Sequence, residues 1–208
     1  SGDDLAEIIA RLEADQLPGI KGDPDEMPER APALTIPGDV WLLGPHRLLC
    51  GSATEPTDVE KVMDGELASC VFTDPPYNVA YEGGTADKLT IENDDMTDEA
   101  FDAFLFDAFV SMRQGMEPGA AIYVCHADGS GNAFRNTFER SGLLLKQVLV
   151  WVKDQFVLSR QDYNWQHEPI LYGWNPGAAH NWYGPFSLST VIDTEAADPE
   201  KLTKSELV

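Results

Sequence analysis

The stretch Ala68-Ser69-Cys70-Val71-Phe72-Thr73-Asp74-Pro75-Pro76-Tyr77-Asn78 decides how the rest of the chain is read. Its first six residues form an apolar run that reads as a buried strand. The run ends on a carboxylate followed at once by two prolines. Pro75 and Pro76 have fixed φ and no N–H, so the strand stops there and the turn beyond it is stiff. A stiff turn carrying an aspartate and then a tyrosine is worth building outward from.

The flanking segments alternate between two periods. Val40 to Leu43 and Arg47 to Cys50 lie either side of Gly44-Pro45-His46 and read as a β-hairpin. Thr57 to Met63 predicts a short helix, and the polar, glycine-containing residues 79–96 predict a loop. Thr97, with Glu99 and Ala100, opens a helix through about Met116, with Phe101, Phe104, Leu105, Ala108, Phe109 and Met112 on one face. Pro118-Gly119 reads as its end. Ala120 to Cys125 predicts a second buried strand, ending on His126. Residues 130–141 predict a helix stopped by Gly142. Leu143 to Val152 and Ile170 to Trp174 predict two more strands, the last entered through Glu168-Pro169. Strands alternating with helices predict an α/β fold with a parallel sheet covered on both faces. The last two strands have no helix between them and are expected to pair antiparallel. Ligands of such sheets sit beyond the carboxyl ends of the strands, where Asp74 and His126 fall.

The ends differ in character. Leu5, Ile8, Ile9 and Leu12 recur at helical spacing, and residues 16–37 mix prolines and glycines with acids, which predicts an acidic helix and a linker over 1–37. The folded domain is expected over 38–192, with an acidic tail at 193–208. The formal charge is −22, which argues against a protein that grips phosphates over its whole surface. The charge is uneven: residues 35–107 hold sixteen acids and three bases, whereas residues 108–192 hold six of each. Cys50, Cys70 and Cys125 are odd in number and widely spaced; they read as small buried thiols in a reducing cytoplasm, not as a zinc site. No metal site is expected, and no apolar run is long enough to cross a membrane.

An aromatic exocyclic amine is a poor nucleophile because its lone pair is delocalised into the ring. Its methylation needs acceptors for the amine hydrogens as the nitrogen becomes tetrahedral. The Asp74 carboxylate and the Pro75 carbonyl can supply two, and the prolines keep both aimed. Tyr77 offers a flat face for a base taken out of the duplex stack. The contribution is orientation and charge stabilisation, with no covalent enzyme intermediate.

Val71-Phe72-Thr73-Asp74-Pro75-Pro76-Tyr77-Asn78 resembles the catalytic motif of amino-methyltransferases that use S-adenosylmethionine. Aspartate in the first motif position is the form typical of adenine-N6 enzymes, where cytosine-N4 enzymes usually carry serine. Trp41-Leu42-Leu43-Gly44 with His46-Arg47-Leu48-Leu49-Cys50-Gly51 resembles the segment that opens these domains. Gly119 to Asp128 is similar to the next motif-bearing strand. Arg160 to Tyr163 and Trp165 to Trp174 are similar to a later segment lining the base pocket. The likeness is strongest to phage and prophage methylases in which a ParB-like domain precedes the methyltransferase, and it covers about residues 38–192. It implies a Rossmann-like methyltransferase sheet acting on adenine N6 in DNA. The implied catalytic residues are Asp74, Pro75, Pro76 and Tyr77. Gly51, Ser52 and Asp74 would meet the methyl donor, and Asn78, His126, Trp165 and His167 the substrate, which is duplex DNA with a flipped adenine.

Two departures qualify these expectations. The family usually carries Phe-x-Gly-x-Gly later in the chain, after a Pro-Thr-x-Lys-Pro segment, and neither occurs in these residues. An incomplete sheet is therefore expected, with weak activity in isolation and an association with the cofactor-binding half or with a second copy. Ser52 stands where the family commonly has aspartate. Several residues keep a second reading. His126 could be a satisfied structural histidine, and His167 and Glu168 could simply order the strand entry. Trp151, Trp165, Trp174 and Trp182 could be packing residues, and the acids at 92–102 read as a solvated loop and helix start. At the level of function, two alternatives stand beside DNA methylation: methylation of an amine in RNA or protein, and a non-enzymatic acidic protein that mimics DNA.

Overall fold

In a computed structural model of the chain, residues 34–83, 88, 90–158 and 162–193 are described. The chain divides into two units, Ser1–Ile36 and Pro37–Val208. The expected helix at Leu5–Leu12, most of the linker, the tail beyond Asp193 and the Arg160-Gln161 pair lie outside the described residues.

The second unit opens with a hairpin of β1 (Val40–Leu43) and β2 (His46–Leu49), followed by α1 (Pro56–Met63). Pro56 starts α1, where its missing N–H costs nothing. A five-stranded sheet follows, built from β3 (Ala68–Thr73), β4 (Met116–Cys125), β5 (Leu144–Val157), β6 (Trp165–Trp174) and β7 (Val191–Asp193), in the order β3-β4-β6-β5-β7. β3 and β4 are parallel and joined through α2 (Asp98–Gln114); α3 (Gly131–Arg140) connects β4 to β5. β6 pairs antiparallel with both β4 and β5, and β7 runs parallel to β5. The sheet is therefore mixed, with the antiparallel β5–β6 pair the sequence predicts.

One face of the sheet makes the core. Thr97 caps α2 by accepting from the Ala100 N–H, and Phe101, Leu105, Ala108 and Phe109 then recur at helical spacing and are all buried. They meet Phe134 and Phe138 of α3 and the inward row Ala120, Ile122, Val124 and Leu171. Each such large apolar side chain contributes roughly 1.5–3 kcal/mol on burial. Phe134 sits at the middle of this cluster, edge-on to Phe101 at 5.8 Å and to Phe109 at 6.4 Å.

Three expectations need correction. The helix before β4 ends at Gly115, not at Pro118-Gly119, and the strand runs through that pair. Gly119 has φ +82°, and a Cβ there would stand 2.2 Å from the Ala179 carbonyl oxygen, so the dipeptide makes a close chain crossing within a strand. Second, β3 is an edge strand, not a buried one. Among the described residues only β4 borders it, and its outward row, Cys70 and Phe72, is exposed, Phe72 at 68 %. Cys70 is thus not a buried thiol, although Cys125 is. Third, the described helices α2 and α3 both pack on one face. The second face carries an aromatic row in which Phe72, Tyr123 and Tyr172 follow one another at 6.5 and 5.0 Å. Segment 175–182 folds over part of it: His180 stacks on Trp174 at 4.5 Å and Trp182 meets Tyr172 edge-on at 6.3 Å.

Candidate active site

Strand directions bring the chemistry to one edge of the sheet. β3 and β4 are parallel, so Asp74 and Cys125-His126 emerge side by side. β6 is antiparallel to β4, with Ile170 opposite Cys125, so its opening residues lie at the same end. β5 is antiparallel to β6, with Trp151 opposite Glu168, which puts Lys153 there too.

The turn after β3 is held from below. Asp94, 2 % exposed, takes the N–H groups of Tyr77 at 3.0 Å, Val79 at 3.3 Å and Tyr81 at 2.8 Å on its carboxylate. Its carbonyl oxygen accepts from the Ala80 N–H at 2.7 Å. Asn78 and Ala80 have positive φ, 59° and 51°, a strained conformation that persists only where surroundings impose it. The Asn78 side chain is committed to the Met96 backbone: Nδ2 donates to its carbonyl at 3.0 Å and Oδ1 accepts its N–H at 2.6 Å. Ser130, at the start of α3, donates to the Tyr77 carbonyl at 2.9 Å. Asp94 and Asn78 thus order the loop itself, so Asp94 is not the solvated loop acid its sequence setting implies.

The Tyr77 ring packs edge-on against Phe134 at 6.2 Å, which ties the loop to the core. Its hydroxyl meets the carboxylates of both Asp74 and Glu168. Glu168 is in turn paired with Lys153, Nζ to Oε2 at 2.6 Å. Burial first, then these two carboxylates, push the Tyr77 phenol well above its ordinary range. The same surroundings act on Cys125, whose thiol is pushed up to about 11 by burial, then by Asp74 and Glu168, with Lys153 opposing. The site therefore holds two carboxylates and one lysine.

His126 is 1 % exposed and stacks on the other side of this cluster, 5.2 Å from Phe134. Its Nδ1 lies 2.9 Å from the Ala127 carbonyl oxygen; a carbonyl only accepts, so Nδ1 carries the hydrogen and Nε2 is a bare acceptor. Nε2 is buried with no partner among the described residues. Burial is the first cause that holds the imidazole below its usual value.

The remaining predicted residues lie in other settings. Gly51 and Ser52 form the turn into α1. The Ser52 N–H donates to Asp58 at 2.8 Å, its hydroxyl is 2.7 Å from that of Thr54, and a Cβ on Gly51 would stand 2.4 Å from Asp58 Oδ2. Packing alone thus explains that glycine. Trp165 and His167 meet edge-on at 5.5 Å where β6 opens. Successive residues of a strand face opposite sides, so His167 and Glu168 point apart, and Glu168 is the one on Tyr77. Trp151 lies under Lys153, 5.1 Å from its Nζ. Among the described residues, no group of three or more His, Cys, Asp or Glu side chains could hold a metal ion, and no helix is long and apolar enough to cross a membrane. The contributions of Asp94, Glu168 and Lys153 follow from pairings across long stretches of chain. Of the three, only Glu168 carries a sequence signal, its place beside Pro169 at a strand entry.

Fold and site together define a class: α/β proteins that hold an aspartate on a double-proline turn at the carboxyl end of a parallel strand. A family model for DNA methylases of the N6/N4 methyltransferase type matches residues 68–206, and the chain belongs to that family. A search of curated protein sequences finds no match. Similar solved structures include M1.HpyAVI in complex with SAM, at 14 % identity and TM-score 0.47, covering 73 % of this chain and 66 % of that one. A second structure of M1.HpyAVI has 14 % identity and TM-score 0.46, covering 66 % and 61 %. A candidate DNA modification methylase from Thermus thermophilus has 15 % identity and TM-score 0.43, covering 65 % and 64 %. This chain thus spans about two thirds or less of the length of these relatives.

Proposed function

We propose that this site methylates the N6 amine of adenine in DNA, with S-adenosylmethionine as the methyl donor. The observation that supports it most is the Asp74 carboxylate at the carboxyl end of β3, on a turn fixed by two prolines and by three N–H groups held on Asp94. Asp74 accepts a hydrogen of the amine, which keeps the nitrogen lone pair on nitrogen and aimed at the methyl carbon. S-adenosylmethionine, when bound, would supply the methyl group from a sulfonium and leave as a neutral thioether, so that the positive charge would pass to the amine nitrogen. Asp74 stabilises that charge before the proton leaves. The residues present suit a cationic donor: Lys153 balances one of the two site carboxylates, so the pocket keeps a negative charge for a sulfonium and then for the alkylated amine. The Tyr77 ring, braced by Phe134, gives the base a rigid neighbour.

Adenine is favoured over cytosine by the aspartate at the head of the motif, the form that the resemblance associates with N6 enzymes. The test is transfer of a radiolabelled methyl group to DNA, followed by nucleoside analysis. N6-methyladenine is expected, with loss in Asp74→Ala. N4-methylcytosine as the sole product would overturn the base assignment. Phe-x-Gly-x-Gly does not occur in these residues, and the N–H and hydroxyl of Ser52 are engaged with Asp58 and Thr54. Donor binding by this chain alone is therefore expected to be weak. Titration calorimetry with S-adenosylmethionine checks this, and micromolar affinity would refute it.

A further inference from the structure

The Tyr77 hydroxyl meets two carboxylates, Asp74 and Glu168. A phenol carries one hydrogen, so it donates to only one of them at a time. Amine methylation needs one acceptor oxygen of Asp74 for the incoming substrate, and Tyr77 uses Oδ1. Were Asp74 the only acceptor for Tyr77, an amine that took Oδ1 would leave a half-buried O–H donor without its partner, a state that weakens binding roughly 5- to 150-fold. Glu168 stands where that loss would arise. It comes from β6, and its side chain is 13 % exposed. The pairing with Lys153, Nζ to Oε2 at 2.6 Å, fixes Glu168 in place and leaves Oε1 toward the Tyr77 hydroxyl.

We propose that Glu168 is a positioning residue for Asp74: it takes over the Tyr77 hydroxyl when the substrate amine binds, and so frees Asp74 to accept from that amine. No covalent step is involved. One hydrogen bond to Asp74 is exchanged for one to Glu168, and an amine N–H occupies the vacated oxygen. The inference rests on the adenine reading above and adds the partner that makes the exchange inexpensive. Lys153 serves it by holding Glu168 in place.

The experiment follows the Tyr77 hydroxyl directly. The protein is labelled with carbon-13 at tyrosine Cζ, and the Tyr77 signal is identified by its loss in Tyr77→Phe. In the free protein, Asp74→Ala and Glu168→Ala are expected to move the signal to two different positions, because each leaves the hydroxyl with one acceptor. Glu168→Gln, with the same shape and no charge, is expected to shift it less and in the same direction as Glu168→Ala. A single strand of oligodeoxyadenosine should move the wild-type signal toward the Asp74→Ala position, whereas a strand of deoxynebularine, the purine without the amine, should not. In Glu168→Ala the preference for the adenine strand should fall roughly 5- to 150-fold. Free-protein signals of both Glu168 variants that coincide with wild type would overturn the proposal, since Asp74 alone would then hold the hydroxyl. So would an adenine-strand shift toward the Glu168→Ala position. If the free-protein shifts appear but the two strands act alike, the adenine reading itself fails and takes the exchange with it.

Discussion

Replacing Asp94 with alanine removes the carboxylate that holds the Asp74–Tyr81 turn from below. The side chain accepts from the N–H groups of Tyr77, Val79 and Tyr81 at 3.0, 3.3 and 2.8 Å and is 2 % exposed. A hydrogen bond to a charged acceptor is worth about 1.5–3 kcal/mol. The three do not simply add, because Val79 and Tyr81 are exposed and their amides can turn to water. Counting the half-buried Tyr77 amide in full and the other two at about 0.5 kcal/mol each gives a loss of about 3 kcal/mol. For a domain of this size each kcal/mol moves the melting temperature by about 2–4 °C, so a fall of about 6–12 °C is expected. Hydrogen exchange localises the effect: the Tyr77 amide should exchange roughly 10- to 150-fold faster, and those of Val79 and Tyr81 roughly twofold faster. The Ala80 amide donates to the Asp94 backbone carbonyl at 2.7 Å, which the substitution spares, so it serves as an internal control. Asp94→Asn should fall between, because one of its ends would face the Tyr81 N–H with a second donor. A melting temperature within about 1 °C of wild type, with exchange at residues 77, 79 and 81 unchanged, would refute the idea that Asp94 organises this loop.

Three further outcomes follow from the same geometry. Asp74 and Glu168 both help push the Cys125 thiol up to about 11, so Asp74→Asn should lower the midpoint of its alkylation profile, read as iodoacetamide labelling against pH; an unmoved midpoint would mean the carboxylate does not face the thiol. Burial holds His126 below its usual value of about 6.5, so between the folded and unfolded values the unfolded chain binds the extra proton. Stability from this group is complete above about pH 6.5 and is lost as the pH falls toward the folded value; His126→Phe, which keeps the stack on Phe134, should flatten that acid-side decline in thermal melts. Gly119→Ala must place a Cβ 2.2 Å from the Ala179 carbonyl at φ +82°, and should destabilise the fold by more than about 1 kcal/mol in urea titrations.

The local signals in the sequence were dependable where the structure obeys them locally. The spacing of Phe101, Leu105, Ala108 and Phe109 gives α2 its inward face, and the apolar run ending on Thr73 gives β3 its bounds. What escaped is set by distant partners. Pro118-Gly119 reads as a break, yet segment 178–181 passes so close that glycine is required inside the strand. β5 runs on past Val152 because its pairing with β6 resumes at Val157, opposite Trp165, after a register shift across residues 153–156, and a polar composition alone does not announce that extension. The exposure of β3 could not be read because an apolar strand looks the same at the edge of a sheet as at its centre. In the site, Asp74 and Tyr77 are legible from the motif. Asp94 is not, because an acid in a polar loop looks solvated until the amides it accepts are located.

The placement of the acids also bears on the choice between a methylase and a DNA mimic. A mimic needs carboxylates that stand free in solvent in a phosphate-like row. Here several acids of the strongly negative stretch are committed within the protein. Asp94 is buried under the loop that follows Asp74, Asp58 takes the Ser52 N–H at 2.8 Å, Asp102 takes both contacts from Arg140 at 2.7 and 2.8 Å, and Glu82 pairs with Lys88 at 2.7 Å. Asp64 pairs with Arg47. The segments that surround Asp74, namely α3, β5 and the opening of β6, come from the stretch with six acids and six bases. Of its bases, Lys153 lies at the site, and Arg135 is near enough to His126 to oppose its charging. The field at Asp74 is therefore set by these neighbours, since surface charges farther than a Debye length, about 8–10 Å, are largely screened. A net charge of −22 is compatible with a site that admits a base, and it gives no use for the Asp74–Tyr77–Glu168 arrangement in a mimic.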